Sequence, residues 1–433
     1  MKPPYAVPSM AAIRELPWNG FNAISTFSGC GGSSLGYRLA GFRVLWASEF
    51  IDAARDSYRA NKAGYTILDG RDIREVTAED ILTAIKMQPG ELDLFDGSPP
   101  CASFSTAGKR EAGWGKVKKY SDKSQRTDDL FFEYTRLLQG LQPKVFVAEN
   151  VSGLVKGTAK GYFLEILRAL KACGYRVSCR VLDAQWLGVP QSRQRTIFIG
   201  VREDLGMDPV HPKPLPYRYS VREALPWITK AIHDTGGQFS VGDVTHRPAC
   251  TVDTNPRFFV EGEIRKRELL VAVGANGGFG DEKWQSPDLP ARTIGAGPNT
   301  GNGLAGGGDI MVKHIEPETD ISRYAIGKEW DKIGKPGGQS DKFFQLTRPA
   351  LDAPCGCITA SGGNTSTASV AHPTEKRKFT IAELRRICAF PDDFILTGTY
   401  AQQWERLGRA VPPVMMAHIA ATVRDEILKK CAG

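Results

Sequence analysis

One cysteine stands in a context where its sulfur could act as a nucleophile. Cys101 follows two prolines in the run 96–105, DGSPPCASFS. The thiolate is the reactive form of cysteine, so a catalytic thiol needs a lowered pKa or a base nearby. Pro-Pro-Cys on its own is more often structural than catalytic, and the role of Cys101 therefore depends on the residues that accompany it.

A glycine-rich turn is the second candidate for chemistry. The segment 27–32, FSGCGG, follows a predicted strand and precedes a predicted helix, and glycines let a backbone approach a ligand closely. Glu49 ends the next predicted strand, where an acid can bind both hydroxyls of a ribose. The third glycine comes earlier than in dinucleotide-binding turns, which favours a nucleoside without phosphates. A nicotinamide site and a plain tight turn stay open from this motif alone.

These residues sit on alternating strands and helices between residues 22 and 200. We predict strands at 22–27, 42–47, 92–95, 145–148, 176–182 and 196–201, and helices at 33–40, 52–61 and 162–173. Such alternation implies a mostly parallel sheet covered on both faces. From Pro209 to about Pro373 prolines and glycines are dense, which predicts short strands and long loops. Helical spacing returns at 380–388 and 413–430, and we expect the last helix to pack on the first domain.

Length and composition limit the classes of protein to which the chain can belong. A chain of 433 residues suggests two domains, and 41% hydrophobic with 24% charged residues is typical of a soluble globular protein. We predict no membrane span, because no run of about 18 apolar residues occurs, and no secretory signal. Nine scattered cysteines favour a reducing cytoplasm. A net charge of +8 is compatible with a polyanionic partner.

With Cys101 added, the chain resembles the DNA cytosine-5 methyltransferase family, because many of that family's motifs occur in its order. The resembling segments are 27–32, Glu49-Phe50, Asp72-Ile73, Pro99-Pro100-Cys101 with Phe104-Ser105, Glu149-Asn150-Val151, 181–184, 188–191 with Arg193 and Arg195, 377–391, and 408–412. The resemblance covers about 22–200 and 377–425. The stretch between them falls where the family keeps its target-recognition domain.

The resemblance implies a fold and a domain division. The fold would be α/β, a Rossmann-like sheet of the S-adenosyl-L-methionine-dependent methyltransferases, with a second, smaller, loop-rich β target-recognition domain. We predict a catalytic, cofactor-binding domain at 1–208 and the target-recognition domain at 209–376. The segment 377–433 would return to the catalytic domain.

By the same resemblance the cofactor is S-adenosyl-L-methionine. Phe27 and Phe50 would contact the adenine, Glu49 the ribose, and Asp72 the adenine edge, although Asp72 alone could be a solvated loop acid. The predicted cofactor-binding residues are Phe27, Gly29, Gly31, Gly32, Glu49, Phe50, Asp72, Ile73, Pro99, Arg409 and Ala410. We predict no metal, since Cys355 and Cys357 lack a second pair of ligands with suitable spacing.

The implied catalytic residues are Cys101, Glu149, Arg193 and Arg195. Addition of the Cys101 thiolate at carbon 6 of cytosine makes carbon 5 nucleophilic. Glu149, protonated against ring N3, would stabilise the developing charge. The resemblance places Arg195 on the cytosine O2, with Arg193 supporting it. The base that removes the carbon 5 proton is not identified by the sequence.

A double-stranded DNA partner requires that the target base leave the helix, at a cost of roughly a few kcal/mol. The polar segment 109–126 contains seven basic and two acidic residues, and it could form a lid over DNA or only a solvated loop. We predict phosphate contacts, and therefore a steep fall of affinity with salt. The predicted DNA-binding residues are Lys109, Arg110, Lys116, Lys118 and Lys119.

Two residues depart from the family pattern. Ala102 stands where the family usually has Gln, which affects lid closure but no catalytic atom. Arg409 stands where the family has Asn, near the transferring group, and a guanidinium there would face a sulfonium cation. Three explanations stay open: Arg409 turns to a DNA phosphate or a nearby acid, the site is impaired, or Arg409 clamps the carboxylate of carboxy-S-adenosylmethionine. The last would yield 5-carboxymethylcytosine.

The sequence therefore predicts a sequence-specific DNA (cytosine-5-)-methyltransferase of a bacterium or phage, cytoplasmic and monomeric. Its host role stays open between a restriction-modification system, phage defence and orphan regulation. Two alternatives from other classes stay open. A tRNA cytosine-5 methyltransferase would not need the long 210–373 insert. A DNA-binding protein without catalysis would have no use for Cys101, Glu149 and Arg195.

Overall fold

The computed structural model describes residues 2–100, 129–155, 160–226, 228 and 319–431. Outside these ranges it describes seven short strands, of which the backbone alone is described. Its strands are β1 (Asn22–Thr26), β2 (Arg43–Ser48), β3 (Ile67–Asp69), β4 (Leu94–Gly97), β5 (Lys118–Tyr120), β6 (Lys123–Gln125), β7 (Val145–Val151), β8 (Tyr175–Asp183), β9 (Gln194–Arg202), β10 (Asp234–Thr235), β11 (Gln238–Phe239), β12 (Leu269–Val273), β13 (Trp284–Gln285) and β14 (Ile310–His314).

Helices connect and cover the strands. They are α1 (Met10–Arg14), α2 (Gly32–Leu39), α3 (Asp52–Asn61), α4 (Ala78–Ile85), α5 (Leu130–Leu141), α6 (Lys160–Ala172), α7 (Val221–Ala224), α8 (Ala325–Ile333), α9 (Ile381–Ile387), α10 (Tyr400–Arg409), α11 (Pro413–Val423) and α12 (Lys429–Cys431), with a π-helical turn at Arg424–Leu428 between the last two. The predicted helix at 52–61 is confirmed, and so are those at 33–40, 162–173 and 380–388 within two residues at each end.

Seven strands form the central sheet, in the order β3-β2-β1-β4-β7-β9-β8. The neighbours from β3 to β7 pair in parallel. Strand β9 is antiparallel to both β7 and β8, because β8 and β9 are joined by a short connection without a crossover helix. The predicted mostly parallel sheet is therefore confirmed, with β9 as its exception. The predicted strand at 92–95 is corrected to 94–97.

Each buried strand contributes side chains to two apolar clusters, one on each face of the sheet. Val145 and Ile197 pack in one cluster with α2 and α11, whereas Phe146 and Phe198 pack in the other. The second cluster contains side chains of α4, α5 and α6. Strands buried on both faces are typical of sheets with helices on both sides, and the α/β prediction is confirmed.

The C-terminal helix returns to the sheet, as predicted. Met415, Met416 and Ile419 of α11 lie in the same cluster as Tyr37 of α2. Close approach of the two helices depends on Gly36, where a Cβ atom would lie 2.5 Å from Met416 Cβ and 2.7 Å from the Pro413 carbonyl oxygen. The second turn of α2 is thereby fixed against the first turn of α11.

The segment of dense prolines and glycines has short elements where the structure describes it. Strands β12, β13 and β14 form a three-stranded antiparallel sheet, in agreement with the predicted short strands. Residues 319–376 contain one regular α-helix, α8, with a small apolar cluster of Ile321, Ile326, Leu346 and Ala371. The domain boundaries at 208 and 376 stay predictions.

A carboxyl group is buried inside the sheet at the end of β4. Asp96 is 1% exposed and accepts hydrogen bonds from Ser25 Oγ (2.7 Å) and Tyr37 Oη (3.1 Å). Burial raises the pKa of Asp96 to about 7, and the charge of Glu149 acts in the same direction, whereas the two hydrogen bonds oppose it. The charged form of Asp96 is therefore disfavoured in the folded state.

The contact at Gly36 can be tested by a single methyl group. We expect Gly36→Ala to lower the free energy of unfolding by about 1–3 kcal/mol, because overpacking outweighs the better helix propensity of alanine. Urea unfolding measures it. Gly64→Ala is the matched control, since a Cβ there meets nothing within 4 Å. Equal stabilities of the two variants would contradict the close packing of α2 on α11.

The burial of Asp96 predicts a pH-dependent gain in stability for Asp96→Asn. The folded state binds the Asp96 proton more tightly than the unfolded chain, so this group's contribution is complete below about pH 4 and is lost as pH rises through 7. We expect the stability advantage of the variant over the wild type to be larger at pH 8 than at pH 4, by on the order of 1–3 kcal/mol. Urea unfolding at both pH values measures this, with Asp208→Asn (86% exposed) as control. A pH-independent difference would contradict it.

Candidate active site

The glycine-rich turn and Glu49 are brought together at the carboxyl ends of β1 and β2. Glu49 Oε2 accepts a hydrogen bond from the backbone N–H of Gly29 (2.7 Å), and Oε1 accepts one from Ile51 (2.7 Å). Burial raises the pKa of Glu49, and these two N–H groups act in the opposite direction. The acid predicted to bind a ribose is thus fixed beside the turn, with both oxygens oriented by backbone donors.

Three backbone features leave the turn open to a ligand. Gly29 and Gly31 have φ values of +57° and +100°, and Phe27 also has a positive φ of 53°. A Cβ on Gly29 would meet nothing within 4 Å, whereas one on Gly31 would lie 3.1 Å from the Tyr58 ring. Gly32 must lack a Cβ for another reason, because that atom would overlap the Val411 carbonyl oxygen and contact Ala410. The turn is therefore shaped by the C-terminal segment on one side and open on the other.

The remaining predicted cofactor residues differ in their burial and in their contacts. Ile73 and Pro99 are buried, and Phe27 and Phe50 are partly buried. Asp72 begins the short 3₁₀ turn Ile73–Glu75 and accepts a hydrogen bond from the Arg74 backbone N–H. Its carboxylate also pairs with the Arg74 side chain at 3.0 Å, and Arg74 in turn pairs with Asp129 at 2.8 Å.

Two predicted catalytic groups form a buried ion pair. Glu149 on β7 and Arg195 on β9 lie on one face of the sheet, and Arg195 Nε is 2.7 Å from Glu149 Oε1. The angle at Nε is too poor for a hydrogen bond, and that N–H has no other partner among the described residues. Burial lowers the pKa of Arg195, and the positive charge of Arg193 lowers it further. A carboxyl and a guanidinium side by side can bind one planar polar ring through separate atoms.

Asn150 connects this pair to the segment that precedes Cys101. Asn150 Nδ2 donates a hydrogen bond to the Pro99 carbonyl oxygen (3.2 Å), and Oδ1 accepts one from the Val151 N–H (2.9 Å). Sequence analysis included Asn150 in a motif without a role for its side chain. Its position next to Glu149 at a strand end was the available signal, whereas the contact with Pro99, 51 residues away, was not visible in the sequence.

Arg193 lies next to the Glu149–Arg195 pair, and its positive charge acts on Arg195. Its side chain is 1% exposed, and it donates hydrogen bonds to the carbonyl oxygens of Ile358 (3.0 Å) and Gly408 (2.8 Å). Its Nη1 is also 3.6 Å from Cys357 Sγ. Arg193 thus binds two distant segments of backbone beside Arg195, and we assign it a positioning role.

Arg409 ends α10 and turns to an acid of its own helix. Arg409 Nε donates a hydrogen bond to Glu405 Oε1 (2.8 Å), and Arg406 is 2.7 Å from the other oxygen of Glu405. This arrangement favours the first of the three explanations for Arg409, a nearby acid. Sequence analysis missed Glu405, although its spacing of four residues from Arg409 would have shown the pair on a recognised helix.

Several predicted site residues lie outside the described part of the chain. These are Cys101, Lys109, Arg110 and Lys116, together with Ala102. Lys118 and Lys119 lie in β5, which pairs with β6 as a short antiparallel hairpin whose backbone alone is described. Part of the segment predicted as a polar loop therefore forms two strands.

The described residues contain neither a membrane-spanning helix nor a cluster of metal-ligating side chains. Within those ranges, no helix is long and apolar enough to cross a bilayer. The same residues contain no group of three or more histidine, cysteine, aspartate or glutamate side chains placed to hold a metal ion.

Solved structures share this fold. A DNA modification methyltransferase encoded within an E. coli prophage matches with a TM-score of 0.59 at 20% identity, covering 93% of this chain and 98% of that one. The DNMT2 structure of Spodoptera frugiperda, a triple mutant, matches with a TM-score of 0.53 at 16% identity, covering 96% and 100%. These likenesses confirm the predicted Rossmann-like methyltransferase sheet.

Sequence relatives extend over the whole chain. The Type II methyltransferase M.NgoPII of Neisseria gonorrhoeae is 36% identical over 413 residues, which cover 95% of this chain and 97% of that protein. M.Sau96I of Staphylococcus aureus is 28% identical over 404 residues, covering 93% and 75%. The model of the family described as C-5 cytosine-specific DNA methylase matches residues 21–425, and that family implies S-adenosyl-L-methionine as methyl donor. The chain therefore belongs to the C-5 cytosine-specific DNA methylase family and is a DNA (cytosine-5-)-methyltransferase.

Proposed function

We propose that this enzyme binds its target cytosine between Glu149 and Arg195 and methylates it with Cys101 as nucleophile. The observation that carries the proposal is the buried Glu149–Arg195 pair, 2.7 Å apart, beside the Pro99 carbonyl bound by Asn150. Pro99 is two residues from Cys101 in the chain, which supports assigning the thiol of Cys101 to the same site. A ring held by the carboxyl at N3 and by the guanidinium at O2 would present carbon 6 to the sulfur.

The cofactor side of the site fits a nucleoside with a positively charged sulfur. Glu49 would hold the ribose through its oriented oxygens, Gly29 and Gly31 would let the backbone approach it, and Phe27, Phe50 and Asp72 would contact the adenine. The open space at Gly29 and the two donors to Glu49 support this fit. When bound, S-adenosyl-L-methionine supplies an electrophilic methyl carbon. Ile73, Pro99 and Ala410 would complete the walls.

The protein groups divide the proton and charge transfers among them. The Cys101 thiolate adds to carbon 6, and Glu149 gives a proton to N3, so the ring becomes a neutral enamine whose carbon 5 is nucleophilic. Arg195 stabilises the carbonyl oxygen O2 throughout. Once carbon 5 carries the methyl group, a base takes its proton, and the electron pair expels the Cys101 thiolate from carbon 6. N3 then returns its proton to Glu149, which restores the neutral base and the starting carboxyl group. Arg193 holds the backbone around Arg195 and touches no reacting atom.

The substrate of the proposed reaction is a short sequence in double-stranded DNA. Cytosine carbon 5 and carbon 6 are not accessible to a thiol within the stack, so the base must leave it. Lys109, Arg110, Lys116, Lys118 and Lys119 follow Cys101 in the chain and would bind phosphates. Relatives named as Type II methyltransferases support a bacterial or phage enzyme of a restriction-modification system. A cytoplasmic location and a monomeric state stay predictions.

The donor is a methyl rather than a carboxymethyl compound in this proposal. A carboxylate clamp would require the Arg409 guanidinium to face the cofactor, whereas the described Arg409 pairs with Glu405. Mass spectrometry of nucleosides from duplex DNA treated with each donor decides between the two. We expect 5-methylcytosine from S-adenosyl-L-methionine, and preferential formation of 5-carboxymethylcytosine would overturn the choice of donor.

Removal of the thiol tests the role of Cys101. We expect Cys101→Ala to bind DNA and S-adenosyl-L-methionine as the wild type does, but to transfer no methyl group, because carbon 5 is not activated without addition at carbon 6. The wild type should also form a denaturation-resistant adduct with duplex DNA containing 5-fluorocytosine, since carbon 5 then has no proton to lose. Methyl transfer by Cys101→Ala would refute the assignment.

The control for this experiment is Cys179→Ala, a cysteine on β8 that no step uses. It should retain both turnover and adduct formation. The same assay on tRNA instead of duplex DNA separates the substrate classes, and turnover confined to tRNA would overturn DNA as the substrate.

A further inference from the structure

A short segment of backbone lies against the chain that precedes strand β9. The Cys355 N–H donates a hydrogen bond to the Pro190 carbonyl oxygen (2.9 Å), and the Cys355 carbonyl oxygen accepts one from the Ser192 N–H (2.8 Å). Cys355 and Ile358 are buried, whereas Cys357 between them is exposed. Backbone hydrogen bonds and the two buried side chains thus fix the place of Cys357 beside the start of the strand.

The Cys357 sulfur contacts both arginines of the site. Its Sγ is 3.6 Å from Arg193 Nη1, and it is also a hydrogen-bond acceptor for the Arg195 guanidinium. A thiol is a weak acceptor, but both of these donors are charged, which strengthens the contact. Removal of the sulfur costs little packing, because Cys357 is exposed. The sulfur therefore acts on the site chiefly through the two guanidinium groups.

Three groups of the described chain stabilise the guanidinium of Arg195. Burial and the positive charge of Arg193 lower its pKa, whereas Glu149 and Cys357 act in the opposite direction. Its Nη1 donates a hydrogen bond to the Gln194 carbonyl oxygen (2.7 Å). Its Nε lies 2.7 Å from Glu149 Oε1 and has no hydrogen-bond partner among the described residues. One carboxylate, one carbonyl and one sulfur thus oppose the cost of burying this charge.

The proposed reaction weakens one of these three groups. Glu149 must carry a proton in order to donate it to cytosine N3, and a neutral carboxyl group attracts a guanidinium less than a carboxylate does. The Gln194 carbonyl oxygen and the Cys357 sulfur are unaffected by that proton. The contact with Cys357 therefore matters most at the step in which Arg195 must hold the cytosine O2.

We propose that Cys357 is a positioning residue that holds the Arg195 guanidinium in place while Glu149 is protonated. This inference rests on the proposed function, because it takes Arg195 as the group that binds the cytosine O2. Residue 357 lies in the predicted target-recognition domain, 209–376, so the contact brings that domain into the base-binding site. Cys357 touches no reacting atom, and its effect on the reaction passes through Arg195.

Single-turnover methylation of duplex DNA measures the effect on the reaction, and fluorescence anisotropy measures Kd for the same DNA. We expect Cys357→Ala to lower the rate constant about 3- to 10-fold, the effect of one hydrogen bond. Kd for DNA should stay within about twofold, because phosphate contacts supply most of that affinity. Cys357→Ser keeps an acceptor at this place and should return the rate constant to within about twofold of the wild type.

A double-mutant cycle with Arg195→Gln tests whether the effect passes through Arg195. In that background Cys357→Ala should change the rate constant by less than about twofold, because the guanidinium on which the sulfur acts is absent. Cys179→Ala removes a thiol elsewhere and should leave both measurements unchanged. If Cys357→Ala fails to fold, Cys357→Val replaces it in the cycle, since valine fills the space of the thiol without an acceptor.

Each outcome separates this inference from the function on which it rests. An unchanged rate constant in Cys357→Ala, no recovery in Cys357→Ser, or equal losses in the two backgrounds would overturn the role of Cys357 while the proposed function stands. A wild-type rate constant in Arg195→Gln would overturn the place of Arg195 in the proposed function, and this proposal with it. A loss of rate that serine reverses and that disappears without Arg195 would establish the proposal.

Discussion

The buried guanidinium of Arg193 is the constraint on which the site depends. A charge removed from water is stabilised by hydrogen bonds that replace its hydration. Here the carbonyl oxygens of Ile358 and Gly408 accept from Nη1 and Nη2, while the Nε–H has no acceptor among the described residues. Those two carbonyls belong to segments 165 and 215 residues further along the chain. The requirement to satisfy one charge thereby fixes both segments beside the Glu149–Arg195 pair. Loss of either carbonyl would leave a further donor nitrogen of Arg193 without its backbone acceptor, in addition to Nε.

From Gly408 the same constraint reaches the cofactor turn. The Val411 carbonyl oxygen lies so close to Gly32 that residue 32 cannot carry a side chain. One helical turn later, the absence of a Cβ on Gly36 leaves the space that the Met416 side chain occupies. The C-terminal helix α11 is packed into the sheet cluster at the same time. The Glu149–Arg195 pair, the glycine-rich turn and the apolar core are therefore not independent units in this fold. A shift of the 408–416 segment would alter all three.

Local patterns in the sequence were sufficient for most of the sheet and for the acids at the strand ends. Glu49 and Glu149 follow buried strands, and the carboxyl ends of parallel strands meet at one edge of a sheet, so their proximity to the turn could be predicted. The antiparallel direction of β9 could not, because strand periodicity is the same in both directions. Helices α4, α5, α8 and α10 were missed, although α5 exposes Phe132, Arg136 and Gln139 at helical spacing and buries the opposite face.

The hydrogen bonds that give the site its geometry could not be predicted from the sequence, for a different reason. Asn150 binds Pro99 across two strands, and Arg193 binds Gly408 across half of the chain. A motif identifies which residue types occur together, but it does not state which atom of one meets which atom of another. Such pairings follow from register and packing, and these exist only once the whole sheet has formed.

Arg409 shows what this means for a departure from a family motif. Considered by itself, a guanidinium in place of an amide near a sulfonium is a conflict of charge, and an impaired site or an anionic cofactor would both resolve it. The described chain resolves it within one turn of helix α10, because Glu405 lies four residues before Arg409 and accepts its Nε–H. The chemical consequence of the substitution is then set by the pair rather than by the arginine. A motif residue that changes charge is best interpreted together with the residues three and four positions away on its own helix, since a partner there restores the charge without altering the fold.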